Sequence, residues 1–97
     1  MNFKDIIQSE KPVLIDFFAT WCGPCKTMGP ILSDLKKEEG SDVTIIKIDV
    51  DKNQQLAAKY DIRGVPTFMI FKEGKMLWKE SGVFQKSQLV TILNKFK

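Results

Sequence analysis

Cys22 and Cys25 are the only cysteines of the chain, and Trp21-Cys22-Gly23-Pro24-Cys25-Lys26 sets them three positions apart, between an apolar run and a segment of helical character. Two thiols at that spacing can close into a disulfide around a small loop and reopen by exchange. At helix positions i and i+3 they share one face. A helix start also offers unpaired N–H groups and the positive end of the peptide dipole, which favour a thiolate at the first cysteine. The chemistry that follows is reversible dithiol/disulfide exchange. A purely structural bridge is the competing reading, but closing so few residues removes little entropy from the unfolded chain.

Composition removes several other chemistries. The chain has no histidine, which excludes Cys-His nucleophilic catalysis and a Cys2His2 zinc site, and its two cysteines fall short of the four ligands structural zinc prefers. No bound metal or cofactor is expected. The net charge of +3 arises from 15 basic and 12 acidic residues, scattered rather than gathered into a stripe. Lys36-Lys37 and Lys95-Phe96-Lys97 adjoin helical patterns, where solvated faces and last turns ordinarily carry lysine, so no nucleic-acid partner is expected. No apolar run approaches the roughly 20 residues of a membrane span, and the N-terminus lacks a basic stretch followed by an apolar one. The expectation is a cytoplasmic protein with no membrane partner, with residues 1–97 forming one domain around one core.

The cysteines need a frame. Phe3, Ile6 and Ile7 indicate a short amphipathic helix that Lys11-Pro12 ends. Val13-Leu14-Ile15-Asp16-Phe17-Phe18 reads as a central strand buried on both faces. Met28, Ile31, Leu32 and Leu35 recur at i, i+3, i+4 and i+7 and mark a long helix, with Pro30 as an expected kink and Gly40 as its stop. Val43 to Val50 is a second β-branched strand, and Leu56, Ala57 and Tyr60 mark a short helix after the Asp51-Lys52-Asn53 turn.

In the second half, Thr67-Phe68-Met69-Ile70-Phe71 and Met76-Leu77-Trp78-Lys79-Glu80 flank Lys72-Glu73-Gly74-Lys75, which predicts an antiparallel hairpin. Leu89, Ile92, Leu93 and Phe96 form the stripe of a closing helix. The sum is a three-layer α/β domain with helices on both faces of a mixed sheet. The cysteines fall just beyond the carboxyl end of its central strand, where sites in open α/β sheets tend to lie.

On these residues the chain resembles the thioredoxin family over nearly its whole length. Asp16-Phe17-Phe18-Ala19-Thr20-Trp21-Cys22-Gly23-Pro24-Cys25-Lys26 is similar to the family's active-site strand and loop, and Ile62-Arg63-Gly64-Val65-Pro66-Thr67 to its second signature. Phe71-Lys72-Glu73-Gly74 resembles its hairpin, and Gly82 stands where its late glycine would fall. The resemblance implies a thioredoxin fold of four to five strands; the N-terminus is short for the additional first strand many members carry, and Phe18 replaces a frequent second tryptophan. It further implies a disulfide reductase with a redox-active Cys22-Cys25 bridge. The partners would be disulfide-containing proteins and a thioredoxin reductase that draws on NADPH. A monomer is the simplest assembly. A disulfide oxidase or isomerase, and a non-catalytic binding subunit using an apolar patch, are the alternatives.

Residue roles follow. Cys22, at the helix start with its sulfur facing out, is expected to attack, and Cys25, tucked one turn behind, to resolve. Asp16 is a carboxylate in the middle of an apolar strand, either facing out or held by backbone partners in the bland reading. Behind the cysteines, with a pKa raised by burial, it would accept the proton of Cys25. Lys47 resembles the family's lysine near this carboxylate and would temper the shift. Base rates favour a trans Val65-Pro66 bond, whereas the resemblance implies cis, with the Val65 backbone pairing with an extended substrate. Trp21, Gly23, Pro24, Val65, Pro66, Gly82 and Val83 are expected to form a flat, weakly charged patch around the thiols. Lys26 reads as a solvated helix residue and Trp78 as core or hairpin packing.

Overall fold

Strand β1, Val13–Phe18, occupies the middle of the sheet because five of its six residues are buried and it is hydrogen-bonded on both sides. The computed structural model describes residues 2–97. Strand β2, Thr44–Asp49, pairs with β1 in parallel; β3, Thr67–Lys72, pairs with β1 antiparallel, and β4, Lys75–Ser81, pairs antiparallel with β3. The order is β2-β1-β3-β4, a mixed sheet with four strands among the described residues. The further strand left open by the resemblance is not among them.

Alternation along β1 divides the core into two layers. Leu14 packs with Phe68 and Ile70 of β3 and with two helices, α2 (Gly23–Glu39) through Met28, Leu32 and Leu35, and α4 (Lys86–Asn94) through Leu89 and Leu93. On the opposite face Val13, Ile15 and Phe17 pack with Met69 and Phe71. They are covered by α1 (Phe3–Ile6) and α3 (Gln54–Lys59), whose Phe3, Ile6 and Leu56 are half-buried. Each fully buried large side chain of this kind contributes about 1.5–3 kcal/mol.

Each expected element forms, with ends moved by one or two residues. Val43 precedes β2 as a core residue, and Val50 follows it while still donating its N–H to Phe18 O. Between β3 and β4, Glu73 (φ 53°) and Gly74 (φ 82°) both occupy the left-handed region, the conformation a two-residue hairpin turn needs to match strand twist. Helix α2 runs uninterrupted through the expected kink at Pro30, whose side lies exposed.

Candidate active site

Cys22 is the N-cap of α2. Its extended backbone (φ −90°, ψ 114°) ends the loop after β1, Pro24 fits the first helical turn, and its Sγ accepts the N–H of Cys25 at 3.1 Å. Cys22 and Cys25 are joined in a disulfide with Cα atoms 5.3 Å apart. The N–H that approaches the sulfur would equally donate to a thiolate, so one donor serves both redox states.

The expected contrast in exposure between the cysteines is absent: Cys22 is 4% and Cys25 5% exposed. Both pack in one cluster with Ala19, against which Phe18, Val50 and Val65 lie. What separates them is position. Cys22 Sγ lies at the helix terminus, 3.6 Å from Val65 O, a contact that becomes a hydrogen bond when the thiol carries its proton. Cys25 lines a cavity of about 310 Å³ with Phe18, Ala19, Thr20, Lys26 and Lys47.

The Val65-Pro66 bond is cis, as the resemblance implies and base rates do not. Gly82, at φ 119°, donates its N–H to Pro66 O at 3.0 Å, which ties the loop after β4 to the loop before β3. Of the expected patch, Trp21 (70%) and Val83 (49%) are the large exposed apolar residues; Gly23 and Pro24 are exposed, and Val65 and Gly82 half-buried. Pro66, expected in the patch, is buried and does not contribute to its exposed surface.

Asp16 is fully buried on the α2 face of β1, between Leu14 and Phe18, and neither carboxylate oxygen has a hydrogen-bond partner among the described residues. Neither bland alternative, an outward carboxylate or one satisfied by backbone, holds. Burial pushes its pKa from 3.8 up to about 6, and the Lys47 ammonium opposes that rise. Lys47 is the Cα partner of Asp16 across the parallel β1–β2 pair, and its Nζ lies 5.1 Å from the Phe18 ring centroid. Asp16, Lys47, Phe18 and Cys25 thus share one face of the sheet below the start of α2.

Asp51 is a site residue that sequence reading passes over. It sits in the turn after β2, where Asp49 Oδ1 accepts the Asp51 N–H at 2.9 Å, and its own Oδ2 accepts the indole N–H of Trp21 at 2.9 Å. A carboxylate beside the carboxyl end of a strand flanking the cysteine loop was the available signal. Lys26 is exposed and Trp78 packs edge-on against Phe84, as read from sequence.

The family model described as Thioredoxin matches residues 1–95. The chain is 40% identical over 92 residues to the thioredoxin of Rickettsia felis, covering 95% of this chain and 88% of that one. It is 42% identical over 96 residues to the thioredoxin of Pyropia yezoensis, covering 98% and 90%. The crystal structure of oxidised mitochondrial thioredoxin 3 from Saccharomyces cerevisiae superposes with a TM-score of 0.86 at 34% identity, covering 96% of this chain and 86% of that one. A structure from work on the thiol resolving mechanism of yeast mitochondrial 1-Cys peroxiredoxin via glutathione/thioredoxin systems gives the same TM-score, 0.86, at 33% identity and the same coverage. The chain belongs to the thioredoxin family and is a protein disulfide reductase whose redox group is its own cysteine pair.

Proposed function

We propose that Cys22 is the attacking thiol, Cys25 the resolving thiol and Asp16 the proton acceptor that serves Cys25. The Cys22 thiolate, formed at the α2 terminus, attacks one sulfur of a substrate disulfide and expels the other as a thiolate, leaving a Cys22–substrate mixed disulfide. Cys25 then loses its proton to Asp16, directly or through water in the adjoining cavity, and its sulfur attacks Cys22 Sγ. The second substrate sulfur leaves as a thiolate, and two electrons have passed from the dithiol to the substrate. The observation that carries this reading is the buried, partnerless carboxylate of Asp16 on the same sheet face as Cys25. A group of that kind is costly to retain for stability alone and titrates close to working pH.

Substrate recognition is assigned to the backbone of Val65 and to the shallow surface of Trp21, Gly23, Pro24, Gly82 and Val83. An extended segment beside Val65 would gain main-chain hydrogen bonds independent of its sequence, which suits a reductase with many partners. Thioredoxins work with a thioredoxin reductase and with disulfide-bearing proteins. For this chain we assign re-reduction to an NADPH-dependent thioredoxin reductase, and we place it in a reducing compartment such as the cytoplasm.

The roles are tested by substitution of each thiol. Cys22→Ser is expected to abolish disulfide exchange, and Cys25→Ser to accumulate mixed disulfides visible as adducts on non-reducing gels. Adducts on the Cys22→Ser protein in place of the Cys25→Ser protein would reverse the assignment.

A further inference from the structure

Strand β2 forms one edge of the sheet. Thr44 N–H bonds Pro12 O and Val50 N–H bonds Phe18 O, so the even-numbered residues of this segment turn their backbone toward β1. By the two-residue period of a strand, Ile45, Lys47 and Asp49 turn theirs outward, away from the sheet. The two edges differ in how they are protected. Strand β4 carries Lys75, Lys79 and Glu80 and a register irregularity opposite Ile70/Phe71, devices that discourage pairing. Strand β2 has no register break, the charges on its outward positions, Lys47 and Asp49, are of opposite sign, and its Ile45, Ile46 and neighbouring Val50 are only half-buried.

We propose that β2 pairs antiparallel with β2 of a second copy of this chain, centred on Ile48. Only residues with outward backbone can exchange ladder bonds, which leaves three two-fold registers that place more than one bonded pair within the strand. Centring on Lys47 sets two lysines opposite one another and is repelled. Centring on Ile46 sets Ile45 opposite Lys47 and pairs no charges. Centring on Ile48 sets Lys47 of each copy opposite Asp49 of the other, Ile48 opposite Ile48, and Ile46 opposite Val50. Opposite charges then meet on one face and β-branched side chains on the other, the combination that stabilises cross-strand pairs. The two Lys47/Asp49 pairs supply four backbone hydrogen bonds. Asp49 Oδ1 is occupied by the Asp51 N–H and Asp49 O by Asn53 Nδ2, so the ion pair uses Oδ2 and the ladder the second lone pair of the carbonyl. The interface is small and self-complementary, so the dimer is weak and forms with rising concentration. It stands independently of the roles proposed for the cysteines and replaces the monomer expected from sequence.

The test is sedimentation equilibrium of the full chain from about 10 µM to about 2 mM, a range suited to a small interface, with reductant present so that no intermolecular disulfide contributes. Wild type is expected to pass from monomer to dimer. Asp49→Lys and Lys47→Asp, which each turn both cross-strand pairs repulsive, are expected to weaken dimerisation about tenfold or more, and an equimolar mixture of the two variants to recover it as a heterodimer. The mixture guards against variants that merely fold poorly, because misfolded chains would not rescue each other. Wild type that stays monomeric throughout overturns the proposal, as does a dimer indifferent to both substitutions. Amide exchange at Lys47 and Asp49 adds a further arm. Protection that grows with concentration supports the dimer, and protection equal at all dilutions shows a segment of the same chain on the edge and overturns it.

Discussion

Asp16 and Lys47 stand opposite each other on neighbouring parallel strands, the carboxylate sealed from water and the lysine exposed. The folded protein holds the Asp16 proton to about pH 6, whereas the unfolded chain releases it near 3.8. Between those values the unfolded state binds fewer protons, so stability falls as pH rises from about 4 to about 6 and then levels. The shift amounts to about 3 kcal/mol. Asp16→Asn is therefore expected to be more stable than wild type at pH 7.5 by up to that amount, with the gap closing toward pH 4. Urea denaturation across this range checks it, and parallel curves would rule out the buried carboxylate as a destabilising group.

Lys47 lowers the Asp16 pKa, so Lys47→Met should raise it further. In the resolution step proposed for Cys25 the pH midpoint is expected to move upward, with the rate on its high-pH plateau little changed. Stopped-flow release of substrate from the mixed disulfide between pH 5 and 9 measures this. A midpoint unmoved by Lys47→Met but abolished by Asp16→Asn would place the ammonium outside the electrostatics of the step.

The Trp21–Asp51 hydrogen bond joins the cysteine loop to the turn after β2 at the surface. Asp51→Ala should cost about 1 kcal/mol or less in stability, as expected for one exposed hydrogen bond. It should raise the KM for protein disulfides severalfold while leaving kcat nearly unchanged, because the indole loses its fixed orientation. Steady-state kinetics together with Trp21 fluorescence anisotropy separate this from a global effect.

At Gly82 an added Cβ would meet no atom within 4 Å, so space does not restrict the position; the φ of 119° does. Gly82→Ala is expected to cost about 1–2 kcal/mol in backbone strain and to loosen the N–H bond to Pro66 O. A lowered thermal midpoint with a raised KM is the expected pair of readings. Wild-type values for both would mean that the loop accommodates the residue by leaving this conformation.

A disulfide reductase needs a pair more reducing than its surroundings. The potential of Cys22-Cys25, titrated in glutathione buffers, is expected below the cytosolic glutathione poise of about −220 to −260 mV. A value well above that poise would assign oxidase or isomerase work to the same site.

Much of this architecture is written locally. Apolar runs at Val13–Phe18 and Thr67–Phe71, the Met28–Leu35 stripe and the Glu73-Gly74 turn each follow from side-chain period or backbone freedom over a few residues. The cysteine pair is legible for the same reason. What sequence reading misses depends on chain segments far apart. The cover that makes Cys22 as buried as Cys25 includes Val65, 43 positions from Cys22. The partner of the Trp21 indole lies 30 positions on. The solitude of the Asp16 carboxylate is a property of everything packed around it, and no local pattern distinguishes it from a carboxylate satisfied by backbone.

The place of β1 between β2 and β3 also bears on how the protein is made. Both strands that flank β1 are translated after it, and Val65, which touches Cys22, comes 40 positions after Cys25 in the chain. On the ribosome the two thiols therefore emerge well before the Val65 backbone that lies against Cys22. A nascent or truncated chain ending ahead of β3 would carry a reactive dithiol on a strand paired on one side only, open to any oxidant or disulfide it met, and the cis Val65-Pro66 loop would reach it only with the last third of the polypeptide.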